Sequence, residues 1–331
     1  MNGVVERAYG GNGLVHGGGD HLGPVRWDFS SNSNPSGTCP ALTQALSQVD
    51  VSRYPDPQYL ALTQALAQWH GVAPWRIVLA ASASEAIARL TRALLGSRSA
   101  LVQVPAVAYG EYAHAARVAG HTVCHGDEPV PSAGLRWLCD PHSPSGQATL
   151  PIPYSSQTPV VLDRAYHPLR LQPCPWSADQ LNAVWQVFSP NKALGATGIR
   201  GAYVLAPEHA QALAAQLRAA APSWVLGAHG VAMLHTWVST AAQQWLAHTA
   251  PERQAWTQRL RSGLQQRGWL LSPSDAPFFC ARPPNPLDSA ALRAAGIKLR
   301  ATDSMGLVGH WRINALPEPA QDALFAQLDL S

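Results

Sequence analysis

PVVLDRAY (159–166) and, further on, AVWQVFSPNKALGATGIR (183–200) are the stretches that decide how this chain folds. Each opens with an apolar run that lacks the alternation of a half-exposed strand, so each reads as a strand covered on both faces. Each run ends at a residue able to do chemistry, the carboxylate Asp163 in one case and the amine Lys192 in the other. In open α/β sheets ligands sit beyond the carboxyl ends of the strands, which makes those two endings candidate site positions.

Working outward, similar short runs recur at RIVLA (76–80), ALVQV (100–104), LRWLC (135–139) and AYVLA (202–206). Helical patterns separate several of them. Tyr59, Leu62, Leu66 and Trp69 fall three and four apart before Gly71; Ile87, Leu90 and Leu94 do the same before Gly96; a further helix stops near Gly120. Strand and helix alternating at this rhythm imply an α/β domain with a mostly parallel central sheet covered by helices. From about residue 208 the pattern turns helical, then gives short strands and a last helix near 317–329. We therefore expect an N-terminal arm over 1–40, a large domain over 41–225 and a small α+β domain over 226–331.

Composition narrows the function. The chain has 331 residues, 47% of them apolar and 13% charged, far from the signature of disorder. A net charge of +3 with scattered arginines lacks the footprint of nucleic-acid binding. Cysteines at 39, 124, 139, 174 and 280 form an odd set without a CxxC pair, which argues against a disulfide framework and against a zinc site. Neither a leader's apolar segment nor a spanning run of about 20 apolar residues is visible, so a soluble cytoplasmic protein is expected, with no metal.

A third strand ending adds to Asp163 and Lys192: RIVLA runs into ASAS, which opens a helix at Ser84 and Glu85. A carboxylate, an amine and a helix N-terminus are the parts that pyridoxal 5'-phosphate needs, for its pyridinium nitrogen, its aldehyde and its phosphate respectively. Each alone has an ordinary reading, as a turn residue, a solvated lysine or a cap. Together and in this order they point to that cofactor.

Here the sequence resembles the fold-type I pyridoxal-phosphate enzymes of the class I/II aminotransferase family. Within it the chain is most similar to the branch holding the histidinol-phosphate aminotransferases and the threonine-phosphate decarboxylase of cobalamin biosynthesis. The likeness is carried by VHGG (15–18), WDFSSNSNPSG (27–37), RYPDP (53–57), AYGEYAHAARVAGH (108–121) and IKLRATDSMGLVGHWRIN (297–314). It implies that Lys192 bonds the cofactor and later moves protons, that Asp163 pairs with the ring nitrogen, and that Tyr166 bonds the ring's phenolic oxygen while Tyr109 stacks on its face. By the same resemblance Ser82, Ala83, Ser84, Ser189 and Arg200 hold the phosphate, and Tyr54 reaches the phosphate of a neighbouring subunit, which implies a homodimer. His16, Asn32, Arg300 and Arg312 would contact a small phosphorylated amino acid.

Three positions depart from the family pattern. Ser143 in DPHSPSG (140–146) stands where an asparagine donates to the phenolic oxygen; Asn191 replaces a serine or threonine before the lysine; AAS (80–82) lacks the usual glycines. The decarboxylase-like arm favours decarboxylation of L-threonine O-3-phosphate. A histidinol-phosphate-type aminotransferase is the alternative, and a degenerate cofactor-binding homologue without turnover is the second.

Overall fold

The computed structural model describes residues 17–152 and 158–330. Its main sheet has seven strands, ordered from one edge as Ile77–Ala80, Ala202–Leu205, Trp185–Phe188, Val160–Asp163, Leu135–Cys139, Leu101–Val104 and Thr122–His125. Four neighbouring pairs are parallel, and only Ala202–Leu205 runs against both of its neighbours. The chain supplies no crossover helix between Phe188 and Ala202, so it returns directly and the strand must be antiparallel. Ile77–Ala80, paired antiparallel to that strand, is turned back into the common direction. All six remaining strands thus end on one side, where Asp163 and the loop that carries Lys192 lie.

Helices cover both faces. Ala83–Leu95, Gly110–Val118 and Gln211–Ala219 pack on one, burying Ile87, Leu90, Tyr112 and Leu217 against Val102, Trp137 and Val187. On the other, Pro40–Ser47, Leu60–His70, Ala228–Trp237 and Thr240–His248 bury Leu42, Leu66, Leu234 and Trp237 against Ile77, Phe188 and Tyr203. This second core carries the larger unit's packing past the boundary expected at residue 226, because the helices after it remain apolar on the face turned to the sheet. The mostly parallel, helix-covered sheet matches the fold class the sequence implies.

A four-stranded antiparallel sheet follows, ordered Arg300–Ala301, Trp311–Asn314, Phe278–Arg282 and Leu270–Leu271. The helices Ala250–Gln266 and Glu318–Leu328 close over it, with Leu260, Leu264, Phe279, Ile313 and Leu324 fully buried. The arm joins this sheet region through a two-residue parallel pairing of Trp27–Asp28 with Ile297–Lys298. Asp20 pins it further, bonding Arg293 and Lys298. Among the described residues no helix is long and apolar enough to cross a membrane.

Beyond Asp28 the arm crosses to the lysine loop. Asn34 donates from its backbone to the Lys192 carbonyl (2.8 Å) and from its side chain to Ala193 (2.9 Å). Cys39 N–H bonds Leu194 (3.0 Å) and the Thr38 hydroxyl bonds Gly195 (2.8 Å). Gly195 is required there on two counts: its φ is +65°, and an added Cβ would stand 1.9 Å from the Gly37 carbonyl oxygen. A Gly195→Ala variant should lose at least about 2 kcal/mol, read as a lowered midpoint in urea, because strain and clash add.

Beneath the sheet, His70 shares a hydrogen bond with the Tyr203 hydroxyl (2.9 Å) and packs on Phe188. Burial, with Arg164 and Arg76 nearby, pushes its pKa down to about 3. His70 therefore stays neutral when folded, while the unfolded chain takes up its proton near the ordinary value. That contribution is complete above pH ~6.5 and is lost as pH falls from there toward 3, by about 1.4 kcal/mol per pH unit for one histidine. Urea melts between pH 7 and pH 5 should show this decline in the wild-type chain, and a shallower one in His70→Gln.

Candidate functional site

A cavity of about 380 Å³ opens where the strands end, within the range of small-molecule sites. Its floor is Asp163, the last residue of a buried strand and only 4% exposed. One carboxylate oxygen accepts the Ala165 N–H (2.9 Å) and the other accepts the Tyr112 hydroxyl (2.8 Å). Burial pushes this carboxyl above its ordinary pKa, while those two donors and the charge of Lys192 pull it back.

Lys192 enters from the loop after Trp185–Phe188, with Nζ 5.2 Å from the centre of the Tyr166 ring. That loop is braced by Asn191, whose carboxamide accepts from the Ser189 hydroxyl (2.8 Å) and donates to the carbonyls of Ile199 (3.2 Å) and Thr197 (3.4 Å). A serine or threonine could not span all three, so the departure noted at 191 shapes the turn that brings Thr197, Gly198 and Arg200 to the rim.

Opposite the loop, the helix Ala83–Leu95 begins at the cavity. Ser82 is its cap, accepting from the Glu85 N–H (3.1 Å), which occupies the Ser82 side chain in the helix and leaves it outside the lining. Ala83 and Ser84 do line the cavity, in the first turn whose N–H groups lack partners within a helix. Tyr109, 3.4 Å from the Ser84 hydroxyl, forms a wall, and burial raises its pKa. Ser143 lies buried in the lining too.

The third wall is cationic. Arg300 and Arg312 face each other across adjacent antiparallel strands and are only 7% and 6% exposed. Arg312 bonds the Ser30 carbonyl (2.6 Å) and Arg300 approaches the Ser304 hydroxyl (3.4 Å), yet the Nε of each has no partner among the described residues. Among the described residues neither is paired with a carboxylate. Burial, then repulsion from Arg312, brings Arg300 down to about 10. In the same lining Asn32 is buried, and both its amide atoms lack a partner among the described residues. Buried polar groups are nearly always hydrogen-bonded, so two guanidinium groups and a carboxamide in this state form a receptor for an anion.

The cavity thus gathers Asn32, Ala83, Ser84, Tyr109, Ser143, Asp163, Tyr166, Ser189, Lys192, Arg200, Arg300 and Arg312. It does not gather Tyr54, which stands 77% exposed and stacked on Trp224 (4.4 Å between ring centres). His16 lies outside the described residues. Sequence reading missed Tyr112, which lies in the first turn of the helix Gly110–Val118, three residues after Tyr109. From the arm, Gly17 and Gly18 of the VHGG motif line the cavity, together with Gly19 and Ser31, which sequence reading did not single out. Gly17 is forced by close approach, since a Cβ would sit 2.2 Å from the Ser30 oxygen.

A separate cluster behind Asp163 brings Asp140, His167 and Cys174 within 4.8 Å of one another. The Asp140 oxygens and His167 Nε2 are already engaged. Arg170 bonds both Asp140 oxygens (2.8 and 3.0 Å), and Arg164 lies 2.6 Å from His167. Those guanidinium groups make it a brace for the loop after Asp163, and a further cation would meet their charge.

The sequence over residues 26–127 and 137–326 matches the family described as aminotransferase class I and II. A histidinol-phosphate aminotransferase of Lactiplantibacillus plantarum is 31% identical over 135 residues, 36% of this chain, and that match spans 38% of the relative's length. Among solved structures, the histidinol-phosphate aminotransferase of Sinorhizobium meliloti in complex with pyridoxal-5'-phosphate aligns with a TM-score of 0.79 at 21% identity, covering 93% of this chain and 91% of that one. The L-threonine-O-3-phosphate decarboxylase of Porphyromonas gingivalis aligns with a TM-score of 0.76 at 19% identity, covering 91% and 98%. At such identities the likeness is one of fold.

If the paired arginines await an anion, inorganic phosphate should raise the melting temperature of the protein. Arg300→Met should stabilise the phosphate-free chain by about 1 kcal/mol, since it removes a buried charge facing a like one, and should weaken the protection that phosphate gives.

Proposed function

The chain belongs to the aminotransferase class I and II family, whose enzymes work with pyridoxal 5'-phosphate, and from that premise we propose that it decarboxylates L-threonine O-3-phosphate. The products are (R)-1-amino-2-propanol O-2-phosphate and carbon dioxide. The observation that carries this reading is the pair Arg300 and Arg312, unbalanced by acid and set in the same cavity as Lys192 and Asp163. A substrate bearing both a carboxylate and a phosphate supplies two anions for two arginines.

The residues present fit the cofactor. A buried carboxylate that already holds two donors, Asp163, can pair with a ring nitrogen; Lys192 is the amine near it; the first turn at Ala83 and Ser84, with Ser189 and Arg200, offers donors to a phosphate. Once bound, the cofactor acts as a sink for the electrons released when a bond at the substrate's α-carbon breaks.

In this proposal each side chain keeps one task. Asp163, ionised, would keep the proton on the ring nitrogen. Tyr109 would cover one face of the ring and Tyr166 would bond its phenolic oxygen. Ser143 takes the place of an asparagine and offers a shorter reach with a single donor. Arg312 grips the α-carboxylate and Arg300 the phosphate, with Asn32 between them, and their grip decides which bond at the α-carbon stands perpendicular to the ring. Lys192, beside the Tyr166 ring, would deliver the proton that replaces the departing carboxylate at the α-carbon.

Decarboxylation is preferred to transamination because the arm built from HGG and NSNP supplies part of the cavity wall, through Gly17 to Gly19, Ser31 and Asn32. Assembly as a cytoplasmic homodimer belongs to the same proposal. Its support is Tyr54, an exposed aromatic ring that lies outside its own chain's cavity.

Protein loaded with pyridoxal phosphate should release carbon dioxide from L-threonine O-3-phosphate without consuming 2-oxoglutarate, and Lys192→Ala should abolish the release. Consumption of 2-oxoglutarate with histidinol phosphate, and no carbon dioxide, would replace the decarboxylase by the aminotransferase.

A further inference from the structure

We infer that Tyr112 is a positioning residue that holds Asp163 ionised and aimed, and so sets the protonation of the cofactor's ring. The inference rests on the cofactor reading above and adds a member that neither the family resemblance nor the strand-end pattern supplied.

Tyr112 lies on the helix Gly110–Val118 and is fully buried. Its ring stacks flat on Trp137, with centres 5.0 Å apart and planes 7° from parallel, and meets Tyr109 edge-on at 5.7 Å. Those contacts leave the hydroxyl little freedom, and it donates to one oxygen of Asp163 at 2.8 Å. Ala165 donates to the other, so each carboxylate oxygen has one fixed donor and one remaining lone-pair direction.

The chemistry follows from burial. An ionised carboxylate accepts two donors, whereas a protonated one spends an oxygen on its own proton, so the donors favour the charged form. The groups that bear on Asp163 are Tyr112 from that helix, Tyr109 just before it, Cys139 from the neighbouring strand, the Ala165 N–H from the following loop and Lys192 from the loop after Phe188. Among the described residues Tyr112, the Ala165 N–H and Lys192 pull toward ionisation, and burial opposes all three. Lys192 is engaged elsewhere once it bonds the cofactor. Removing the Tyr112 hydroxyl then leaves the Ala165 N–H as the one protein donor among the described residues, beside the ring nitrogen, against the same burial. Asp163 takes up a proton more readily, and the ring nitrogen loses the anion that keeps it protonated. A ring without that proton draws fewer electrons from the lysine–cofactor bond, whose own proton is held to higher pH.

Tyr112→Phe preserves the stack on Trp137 and deletes only the donor. In protein loaded with pyridoxal phosphate, the pH midpoint of the visible absorbance should rise by about one unit, and cofactor affinity should fall roughly tenfold, as expected for a lost hydrogen bond to a charged group. In an Asp163→Asn background the same change should have no further effect on affinity. A visible midpoint and affinity equal to wild type in Tyr112→Phe overturn the inference, whatever happens to the melting temperature. Should that variant not fold, 3-fluorotyrosine at position 112 keeps the ring and strengthens the donor; the midpoint should then move down, and no movement overturns the inference. A wild-type protein that shows no visible band with the cofactor overturns the cofactor reading and this inference with it, whereas a wild-type band with an unmoved midpoint in the variant overturns this inference alone.

Discussion

Four consecutive carbonyls, those of Lys192, Ala193, Leu194 and Gly195, are all bonded by the N-terminal arm, and the arrangement of the site depends on that clasp. The turn's own bonds, Gly195 N–H to Lys192 and Ala196 N–H to Asn191, do not reach the carbonyls of the buried Ala193 and Leu194, and the arm supplies donors to both. The same arm bonds Arg312 of the second sheet through the Ser30 carbonyl, and its Trp27 pairs with Ile297 in a separate two-stranded sheet. One extended segment therefore sets the distance between an amine on one unit and two guanidinium groups on the other.

Charge explains why those groups tolerate each other. Asp163 is held by two donors, and its burial presses it toward neutrality. Arg300 and Arg312 press on one another across a strand pair, with no acid among the described residues paired to either. Both ends of the cavity are thus left electrostatically incomplete, in opposite senses, and what completes them must carry a proton-bearing nitrogen at one end and anionic oxygens at the other. Sites of this kind give up stability in the empty protein for affinity when filled.

The fold was legible where burial writes itself into composition. The six long apolar runs are all strands, and the helix expected to end at Gly71 does so, with that glycine at a positive φ. Thr122–His125 escaped because it is a polar edge strand with no apolar run to signal it, and Pro40–Ser47 because it begins where the turn-rich arm stops. For the site, strand endings pointed to Asp163, Lys192 and Ser84, since chemistry gathers where parallel strands stop. Tyr112 stayed hidden: a tyrosine on a helix face reads as core, and nothing in one dimension says that its hydroxyl ends on a carboxylate 51 positions away. Asn191 was visible only as a departure, and its part as a three-way brace needed the shape of the turn.

The bond from Asn34 to Ala193 spans 159 residues of sequence. Contacts of that separation carry a large loop-closure entropy and form late, after local helices and neighbouring strands have made the chain compact. On the ribosome the arm emerges first and then waits, unpartnered, until the lysine loop has been made. The Lys192 amine accordingly takes its final position near the end of folding rather than at its start, and partly folded chains carry that lysine outside the cavity it comes to line.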